Sequence, residues 1–404
     1  MDVVDRTLVG LSLYSLLSSN RSGVFLVFFP VFLVEIDHAP IPLTLALTSA
    51  AYVAGSLVQP LAGRWSDRVG RRRPFLIGAE LSALPLYLSI PFDPGYIAAG
   101  LAFIAGTTVL SMGGPALNAY VADVTRDRQR GGAYGLLNAA SSGGGIAGFL
   151  IVGLLVLDLG FHFLFYFVAL VQAGTLCILL IRVPDDRAVA TPTRRPLGEM
   201  KEVAYFSSTV SIRSLGAGAV GAFYGIYAGA LGANLFEVSL VAIAGLATMA
   251  LFSLPIGRLV DSIGEIKGLL WGTAVSIVGI VAFLVATNWV ELLPAQGFRN
   301  LGFAFLGPAM LSWVARLAPP GRRAEYLGLF SLINSTLWSL GPLAGSAAFR
   351  LAGPAGLFGF SIGATAISLV AIEGFYVRGR RGRKGIPVAV VPMSSASAPG
   401  PGPG

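Results

Sequence analysis

Long apolar runs, interrupted by charged residues or by Pro and Gly, dominate the pattern of this chain. Each run is close to the length of about 20 residues that a helix needs to cross a bilayer. The runs do not alternate apolar and polar positions with a period of two, as the strands of a membrane barrel do. The pattern therefore predicts twelve transmembrane helices: Leu11–Val34, Ile41–Ala62, Pro74–Ile90, Gly95–Val121, Gly132–Leu157, Phe161–Val183, Tyr205–Leu231, Glu237–Gly257, Gly268–Thr287, Trp289–Leu317, Ala324–Leu351 and Pro354–Val377.

The composition supports this interpretation. Of the 404 residues, 55% are hydrophobic and 12% are charged, whereas a soluble domain carries about 25% charged residues. Such a chain cannot cover a soluble surface with polar groups, so we expect an all-α integral membrane protein. The single cysteine, Cys177, and two widely spaced histidines favour neither a disulfide nor a metal cluster. We expect no cofactor, no metal site and no catalytic residues, because the paired acids or Ser-His sets of an enzyme are missing.

A hydrophilic break divides the predicted spans six and six. We predict an N-terminal six-helix bundle over residues 1–183, a cytoplasmic central loop over 184–204, a C-terminal six-helix bundle over 205–378 and a disordered cytoplasmic tail over 379–404. With both termini in the cytoplasm, most of the 28 Lys and Arg fall on the cytoplasmic side, which is the positive-inside pattern of a multi-pass plasma-membrane protein. The net charge of +8 then reflects topology and contact with anionic inner-leaflet lipids, not nucleic-acid binding.

The two halves repeat each other in sequence. Gly114-Pro115-Ala116 recurs as Gly307-Pro308-Ala309, at an offset of 193 residues. Gly148 corresponds to Gly341 at the same offset. At an offset of 194 residues the loop glycines and charges coincide as well: Gly63, Arg64, Asp67 and Gly70 match Gly257, Arg258, Asp261 and Gly264. A duplication of this kind indicates two pseudo-symmetric six-helix bundles around a central cavity.

The loop after the second predicted span reads GRWSDRVGRRRP from Gly63 to Pro74. It resembles the signature loop of the major facilitator superfamily, and Gly257–Gly264 resembles the weaker second copy that this family carries. The resemblance implies a secondary transporter that works by rocker-switch alternating access. It also implies a cytoplasmic charge network that latches the two halves in the outward-facing state. The residues to which it assigns this switch are Gly63, Asp67, Arg68, Gly70, Arg71, Arg72, Asp123 and, in the second copy, Asp261.

Glycines cluster in the fifth predicted span, at Gly143, Gly144, Gly145 and Gly148. They resemble a glycine motif of antiporters in that family, although the motif expects Gly-Pro and Phe149 follows Gly148 here. Close helix packing is the alternative interpretation, because small residues let helix backbones approach each other.

Three arginines fall inside predicted spans: Arg21, Arg213 and Arg299. Ionisable residues within a membrane usually face a cavity or a partner. Acids are scarce there, with Glu80 and Glu373 nearer the inner ends of their spans. Arginines without acidic partners favour an anionic solute, and the scarcity of mid-span carboxylates argues against a cation/proton exchanger. We expect the substrate site to contain Arg299, Arg21, Asn20, Gln296, Arg213 and Tyr227.

These features together predict a monomeric secondary transporter of a small organic solute, with or without a coupling ion. The buried arginines favour an anionic solute. A proton-coupled multidrug or sugar efflux carrier is an alternative, because an apolar and aromatic cavity would suit it as well. A non-transporting membrane receptor with the same fold is a further alternative.

Overall fold

A computed structural model of the protein describes residues 3–92, 95–124, 130–184, 201–317 and 323–380. The described part of the chain is helical and contains no strand, as the apolar runs predict. Its helices are α1 (Val3–Glu35), α2 (Ile41–Val69), α3 (Arg73–Ser89), α4 (Tyr96–Ser111), α5 (Gly113–Val124), α6 (Arg130–Leu159), α7 (Phe161–Arg182), α8 (Lys201–Ser211), α9 (Arg213–Ala230), α10 (Leu235–Ile263), α11 (Glu265–Val285), α12 (Leu292–Leu317) and α13 (Arg323–Arg380), with short 3₁₀ helices at Ile90–Phe92 and Trp289–Glu291.

These helices form twelve membrane-crossing segments, as the sequence predicts. Helices α4 and α5 make one segment that is interrupted at Met112, and α8 and α9 make another that is interrupted at Ile212. Helix α13 contains two segments, because the backbone leaves helical geometry at Ala352 and Gly353. That break coincides with the boundary predicted between the last two spans.

The ends of the predicted bundles differ slightly from the helices. Helix α8 begins at Lys201, inside the predicted central loop, and α13 continues to Arg380, inside the predicted tail. The rest of that loop, residues 185–200, and the tail after residue 380 lie outside the described residues.

Nine helical stretches of the described chain are long and apolar enough to cross a membrane, and the one at Gly328–Gly374 covers both segments of α13. The two segments outside this set are α8–α9 and α12. Helix α9 is buried along almost its whole length, and α12 buries the polar side chains of Gln296, Arg299 and Asn300. A helix surrounded by protein can carry small and polar residues that a lipid-facing helix cannot. Both segments line the central cavity described below.

The sequence repeat corresponds to a repeat in helix packing. A Cβ added to Gly148 of α6 would lie 2.7 Å from the backbone oxygen of Asn20 in α1. A Cβ on Gly341 of α13 would overlap the backbone oxygen of Leu215 in the segment of α9. The fifth span therefore packs on the first as the eleventh packs on the seventh. This favours the packing interpretation of the glycines in α6.

The loop repeat is visible in the backbone as well. Gly70 ends α2 with φ of 68°, and Gly264 ends α10 with φ of 90°. Both values lie in the region that glycine adopts without a steric penalty. In both copies a glycine with positive φ ends the helix, but ψ is 18° at Gly70 and 154° at Gly264, so of the two Gly70 alone adopts the left-handed helical conformation.

Among the described residues, the two halves meet mainly where α1 packs on α9, α2 on α13 and α6 on α10, with a smaller contact between α2 and α9. The Ser49 hydroxyl donates to the backbone oxygen of Ser339 at 2.6 Å, and the Ser346 hydroxyl donates to that of Pro42 at 2.8 Å. The Tyr52 ring meets the Trp338 ring edge-on, with 5.2 Å between the centroids. These contacts lie between the middle of the bundle and the end at which α1 finishes.

The apolar core has the same asymmetry. Toward the end at which α1 finishes, a single core joins both halves and includes Phe29, Phe103, Phe223 and Phe283. At the opposite end, where α1 begins and which we call the N-terminal face, each half has a core of its own. Leu11, Leu76 and Val121 belong to one of these cores, and Phe206 and Val314 belong to the other. The halves are thus joined at one end and separately packed at the N-terminal face.

Candidate functional site

A central cavity of about 400 Å³ lies between the two halves. Its wall combines polar and aromatic side chains from α1, α6, α9, α10, α12 and α13. Cavities that bind small molecules in proteins range from about 300 to 1,000 Å³ and are mostly apolar with a few placed polar groups. The residues that line the cavity include Arg299, Gln296, Asn300, Ser141, Ser142, Tyr224, Phe149, Phe303 and Trp338.

One stripe of α12 supplies much of the polarity. Gln296, Arg299, Asn300 and Phe303 recur at the spacing that places side chains on one helix face, and all four line the cavity. The Arg299 Nε donates to the Gln296 Oε1 at 2.9 Å, and the Asn300 Nδ2 donates to the Gln296 backbone oxygen at 3.0 Å. The guanidinium carbon of Arg299 lies 5.4 Å from the centroid of the Phe303 ring, within cation–π range.

Helix α11 packs behind this stripe and fixes its direction. A Cβ on Gly279 of α11 would lie 2.5 Å from the backbone nitrogen of Arg299. The close approach leaves the side chain of Arg299 to point away from α11, toward the cavity. Among the described residues that line the cavity, Arg299 is the charged one, and no described carboxylate pairs with it.

Arg21 has a buried acidic partner, so the expectation that the buried arginines lack such partners is wrong for it. Its Nη1 lies 2.6 Å from the Oε2 of Glu80, and both side chains are fully buried. The Tyr14 hydroxyl donates to the other carboxylate oxygen at 3.0 Å. Gln172 of α7 donates to the backbone oxygen of Glu80 at 2.7 Å and ties α3 to its neighbour.

The sequence contained a signal for this pair. Arg21 precedes the end of α1 at Glu35 by about 14 residues, and Glu80 precedes the 3₁₀ end at Phe92 by about 12. At 1.5 Å per residue, both groups lie roughly 20 Å from the same end of the bundle. Comparing depths in this way would have identified Glu80 as the partner.

Arg21 faces a second cavity of about 260 Å³ inside the N-terminal half. Tyr14, Tyr52, Gln59 and Tyr87 line this cavity with it. The predicted substrate residue Arg21 is therefore not among the described residues of the central cavity.

Asn20 lies at the crossing of α1 and α6. It is buried, and its Oδ1 would be 2.7 Å from a Cβ on Gly148. The described residues of both cavities do not include Asn20. Its position is that of a packing residue between two helices.

Arg213 and Tyr227 lie on α9, outside the described wall of the central cavity. Arg213 is buried, and its Nη2 lies 3.2 Å from the Met310 sulfur. The Tyr227 ring packs against Phe358 with 5.0 Å between centroids, and its hydroxyl donates to the Ala286 oxygen at 3.4 Å. The expected contact of Tyr227 with the cavity is therefore replaced by aromatic packing, and Tyr224 lines the cavity instead.

The signature loop holds two of its arginines in place. Arg72 is buried and donates from Nη1 to the Ser66 hydroxyl at 3.0 Å. Arg73 donates from Nε to the Leu179 oxygen at 2.9 Å and from Nη2 to the Leu180 oxygen at 2.6 Å. These oxygens lie in the last turn of α7, where a cation also interacts favourably with the helix dipole. The role of Arg73 in binding the end of α7 was not among the sequence-based predictions.

The predicted charge network stays a prediction, because the side chains of Asp67 and Asp123 lie outside the described residues. Arg68, Arg71 and Asp261 are exposed at the N-terminal face. Gly63 of α2 faces Pro115 of α5, and a Cβ added to Gly63 would make an ordinary van der Waals contact, 3.5 Å from the Cβ of Pro115.

The second copy of the loop cannot form the Ser66–Arg72 contact. At the offset of 194 residues, Val260 stands in place of Ser66 and Ile266 in place of Arg72. Val260 is buried in the apolar core of the C-terminal half instead. The loss of both hydrogen-bonding partners gives a physical reason for the weaker match of this copy.

The fold and the repeat agree with a family comparison. The family model described as Major Facilitator Superfamily matches residues 11–211 and 204–394, so the chain belongs to that superfamily. It is similar to the "Multidrug resistance protein 2" of Bacillus subtilis (strain 168), with 24% identity over 326 residues that cover 75% of this chain and 78% of the relative.

Two solved structures have the same fold. The nucleoside transporter NupG superposes with a TM-score of 0.77 at 13% identity and covers 93% of this chain and 99% of its own. A bacterial homolog of the human lysosomal transporter Spinster, in an inward-facing and unoccupied conformation, superposes with a TM-score of 0.72 at 15% identity. The match covers 94% of this chain and 98% of the homolog. The chain is accordingly a multi-pass membrane protein with the role of a secondary transporter.

Proposed function

We propose that this protein moves a small amphipathic organic anion through its central cavity by alternating access. The observation that carries the proposal is Arg299, a cation in the cavity wall without a described carboxylate partner. A buried charge is costly unless it is paired and hydrogen-bonded. An anionic group of the solute would supply the missing partner through charge-assisted hydrogen bonds.

The remainder of the wall supports an amphipathic solute. Ser141, Ser142 and Asn300 offer neutral hydrogen-bonding groups on both sides of the cavity. Phe149 and Trp338 offer aromatic surface for an apolar body. A solute with one charged group and an aromatic or aliphatic body would satisfy both kinds of surface.

The transport cycle follows from the contacts between the halves. The Ser49–Ser339 and Pro42–Ser346 hydrogen bonds close the end at which α1 finishes. The positive-inside pattern favours a cytoplasmic N-terminal face, and with that orientation we propose that these contacts close the outer side, as expected of an inward-facing state. Opening outward then requires these hydrogen bonds to break while the two halves approach each other at the signature loop.

Multidrug efflux is a second candidate, supported by the name of the Bacillus subtilis relative. An aromatic cavity accepts many apolar drugs, and in that case the charge of the ligand would matter little. The two candidates therefore differ in how strongly binding depends on a negative charge.

A matched pair of ligands separates the candidates. Purified protein in detergent is heated with 2-naphthoate or with its neutral isostere 2-naphthamide, since a ligand that binds the folded state raises the apparent Tm. We expect 2-naphthoate to raise the Tm of the protein and 2-naphthamide to leave it nearly unchanged. Equal shifts that persist in Arg299→Gln would contradict the organic-anion proposal and favour multidrug binding.

A further inference from the structure

Two buried arginines share one aromatic ring beside the central cavity. The guanidinium carbon of Arg299 lies 5.4 Å from the centroid of Phe303, and that of Arg213 lies 5.8 Å from the same centroid. These two distances limit the separation of the guanidinium carbons to about 11 Å. Phe303 itself lines the cavity, so the second arginine is one side chain away from the bound solute.

Arg213 also continues the cavity-facing stripe of α9. Ala217, Gly221 and Tyr224 line the cavity at the spacing of one helix face, and Arg213 precedes Ala217 by four residues. It therefore lies on the same face, one turn closer to the N-terminal face.

The surroundings of Arg213 leave its charge poorly compensated. The structure describes a single hydrogen bond from its guanidinium, to the thioether of Met310, which is a weak acceptor. Its Nε is buried without a hydrogen-bond partner. No described carboxylate pairs with it. A guanidinium has five N–H donors, so most of its capacity for an anion is unused.

The N-terminal half contrasts with this arrangement. There the buried Arg21 is neutralised by Glu80 at 2.6 Å. In the C-terminal half Arg213 and Arg299 place two positive charges around Phe303, and the described part of the chain adds no buried acid beside them. Two neighbouring guanidinium groups for which the structure describes no carboxylate partner can accept two negative charges of one solute.

We infer that Arg213, Phe303 and Arg299 form one two-cation site, so that the solute is a small organic dianion of the dicarboxylate class. The inference rests on the organic anion proposed above and narrows it. Arg299 binds one carboxylate inside the cavity. Arg213 binds the second carboxylate once the ring of Phe303 turns aside, and its Met310 contact is exchanged for a charge-assisted hydrogen bond. Phe303 is then a specificity residue between the two cations.

The test compares two ligands of nearly equal size that differ by one charge. Full-length protein in detergent is titrated with isophthalate and with its monomethyl ester at constant ionic strength, and apparent Kd is read from the rise of Tm. We expect isophthalate to bind the unaltered protein at least about tenfold more tightly than the ester, because one additional charge-assisted hydrogen bond is formed.

Variants assign the difference to Arg213. Arg213→Gln should bind isophthalate and the ester equally, with the affinity that the unaltered protein has for the ester, whereas Arg299→Gln should lose both ligands. Arg350→Gln, an exposed arginine far from the cavity, is the matched control and should keep the preference. If Arg213→Gln does not fold, Arg213→Lys retains the charge, and the comparison of ligands on the unaltered protein needs no variant.

The outcomes separate this inference from the proposed function. If the unaltered protein binds the ester through Arg299 but does not prefer isophthalate, the two-cation site is wrong while the organic-anion proposal stands. A preference for isophthalate that survives in Arg213→Gln also overturns the inference. If isophthalate, the ester and 2-naphthoate all fail to bind, both the two-cation inference and the organic-anion proposal are contradicted.

Discussion

Arg21 of α1 and Glu80 of α3 form an ion pair with 2.6 Å between Nη1 and Oε2, and neither side chain is more than 1% exposed. The Arg21 Nη2 also donates to the Ser18 hydroxyl at 3.2 Å, and the Tyr14 hydroxyl donates to the Glu80 carboxylate at 3.0 Å. Two spans of the N-terminal half are thereby joined through a neutral pair. The contrast with the uncompensated Arg299 distinguishes an arginine that holds helices together from one that is available to a solute.

Glu80→Gln should lower the stability of the protein by about 3–5 kcal/mol, because it leaves Arg21 as an uncompensated buried charge. Removing both charges in Arg21→Met/Glu80→Gln should restore a large part of this loss. Thermal unfolding in detergent, followed for the two single variants and the double variant, measures the coupling. Additive effects of the two substitutions would show that the pair does not act as a unit.

Gly144→Ala should prevent α1 and α6 from packing as they do here. A Cβ at this position would overlap the backbone oxygen of Leu16, and backbone cannot move aside as a flexible side chain can. We expect a loss of about 2–3 kcal/mol or failure to fold.

Gly143 is the matched control on the same helix. A Cβ on Gly143 would meet no heavy atom within 4 Å. Gly143→Ala should therefore be neutral or should stabilise the protein by up to about 1 kcal/mol through its better helix propensity. Fluorescence-detected size exclusion after graded heating compares the two variants. Equal behaviour of both would contradict the described packing of α1 on α6.

A cross-link between the halves should arrest transport. A Cβ on Gly225 of α9 would lie 3.2 Å from the Cγ2 of Val31 in α1, so side chains at these two positions would be in contact across the two halves. Gly225→Cys with Val31→Cys, in a Cys177→Ser background, should lose uptake after mild oxidation and recover it after reduction. The single-cysteine variants should respond to neither treatment.

Transport that continues at full rate in the oxidised double variant would contradict the account of the cycle. In that account α1 and α9 must separate at the end at which α1 finishes before the cavity opens there. Mass spectrometry of the intact chain establishes how much of the protein is cross-linked in each sample.

The sequence predicts the helices well and the orientation of their faces poorly. The break between Leu351 and Pro354 and the repeat of Gly148 at Gly341 depend on local composition and spacing, which the sequence displays directly. Which side of a helix meets the cavity depends on the rotation of that helix in the bundle. Helix α9 is buried almost all round, so its pattern does not distinguish Tyr224, which lines the cavity, from Tyr227, which packs in the core.

Partners between helices are a second kind of information that hydropathy does not contain. The pairing of Arg21 with Glu80 depends on matching depth in two spans. Gln296 and Arg299 lie three residues apart on one face of a single helix, so their contact follows from the spacing in the sequence. A contact within one helix can therefore be predicted from sequence spacing, whereas a contact between two helices cannot.

The most direct test of the central claim is uptake of radiolabelled 2-naphthoate by proteoliposomes. The account predicts that the unaltered protein and Arg350→Gln accumulate the label, that 2-naphthamide does not compete, and that Arg299→Gln reduces the initial rate at least about a hundredfold while folding normally, because a charged hydrogen-bonding partner is lost. An Arg299→Gln protein that takes up 2-naphthoate at the rate of the unaltered protein would contradict the claim that this arginine binds the solute.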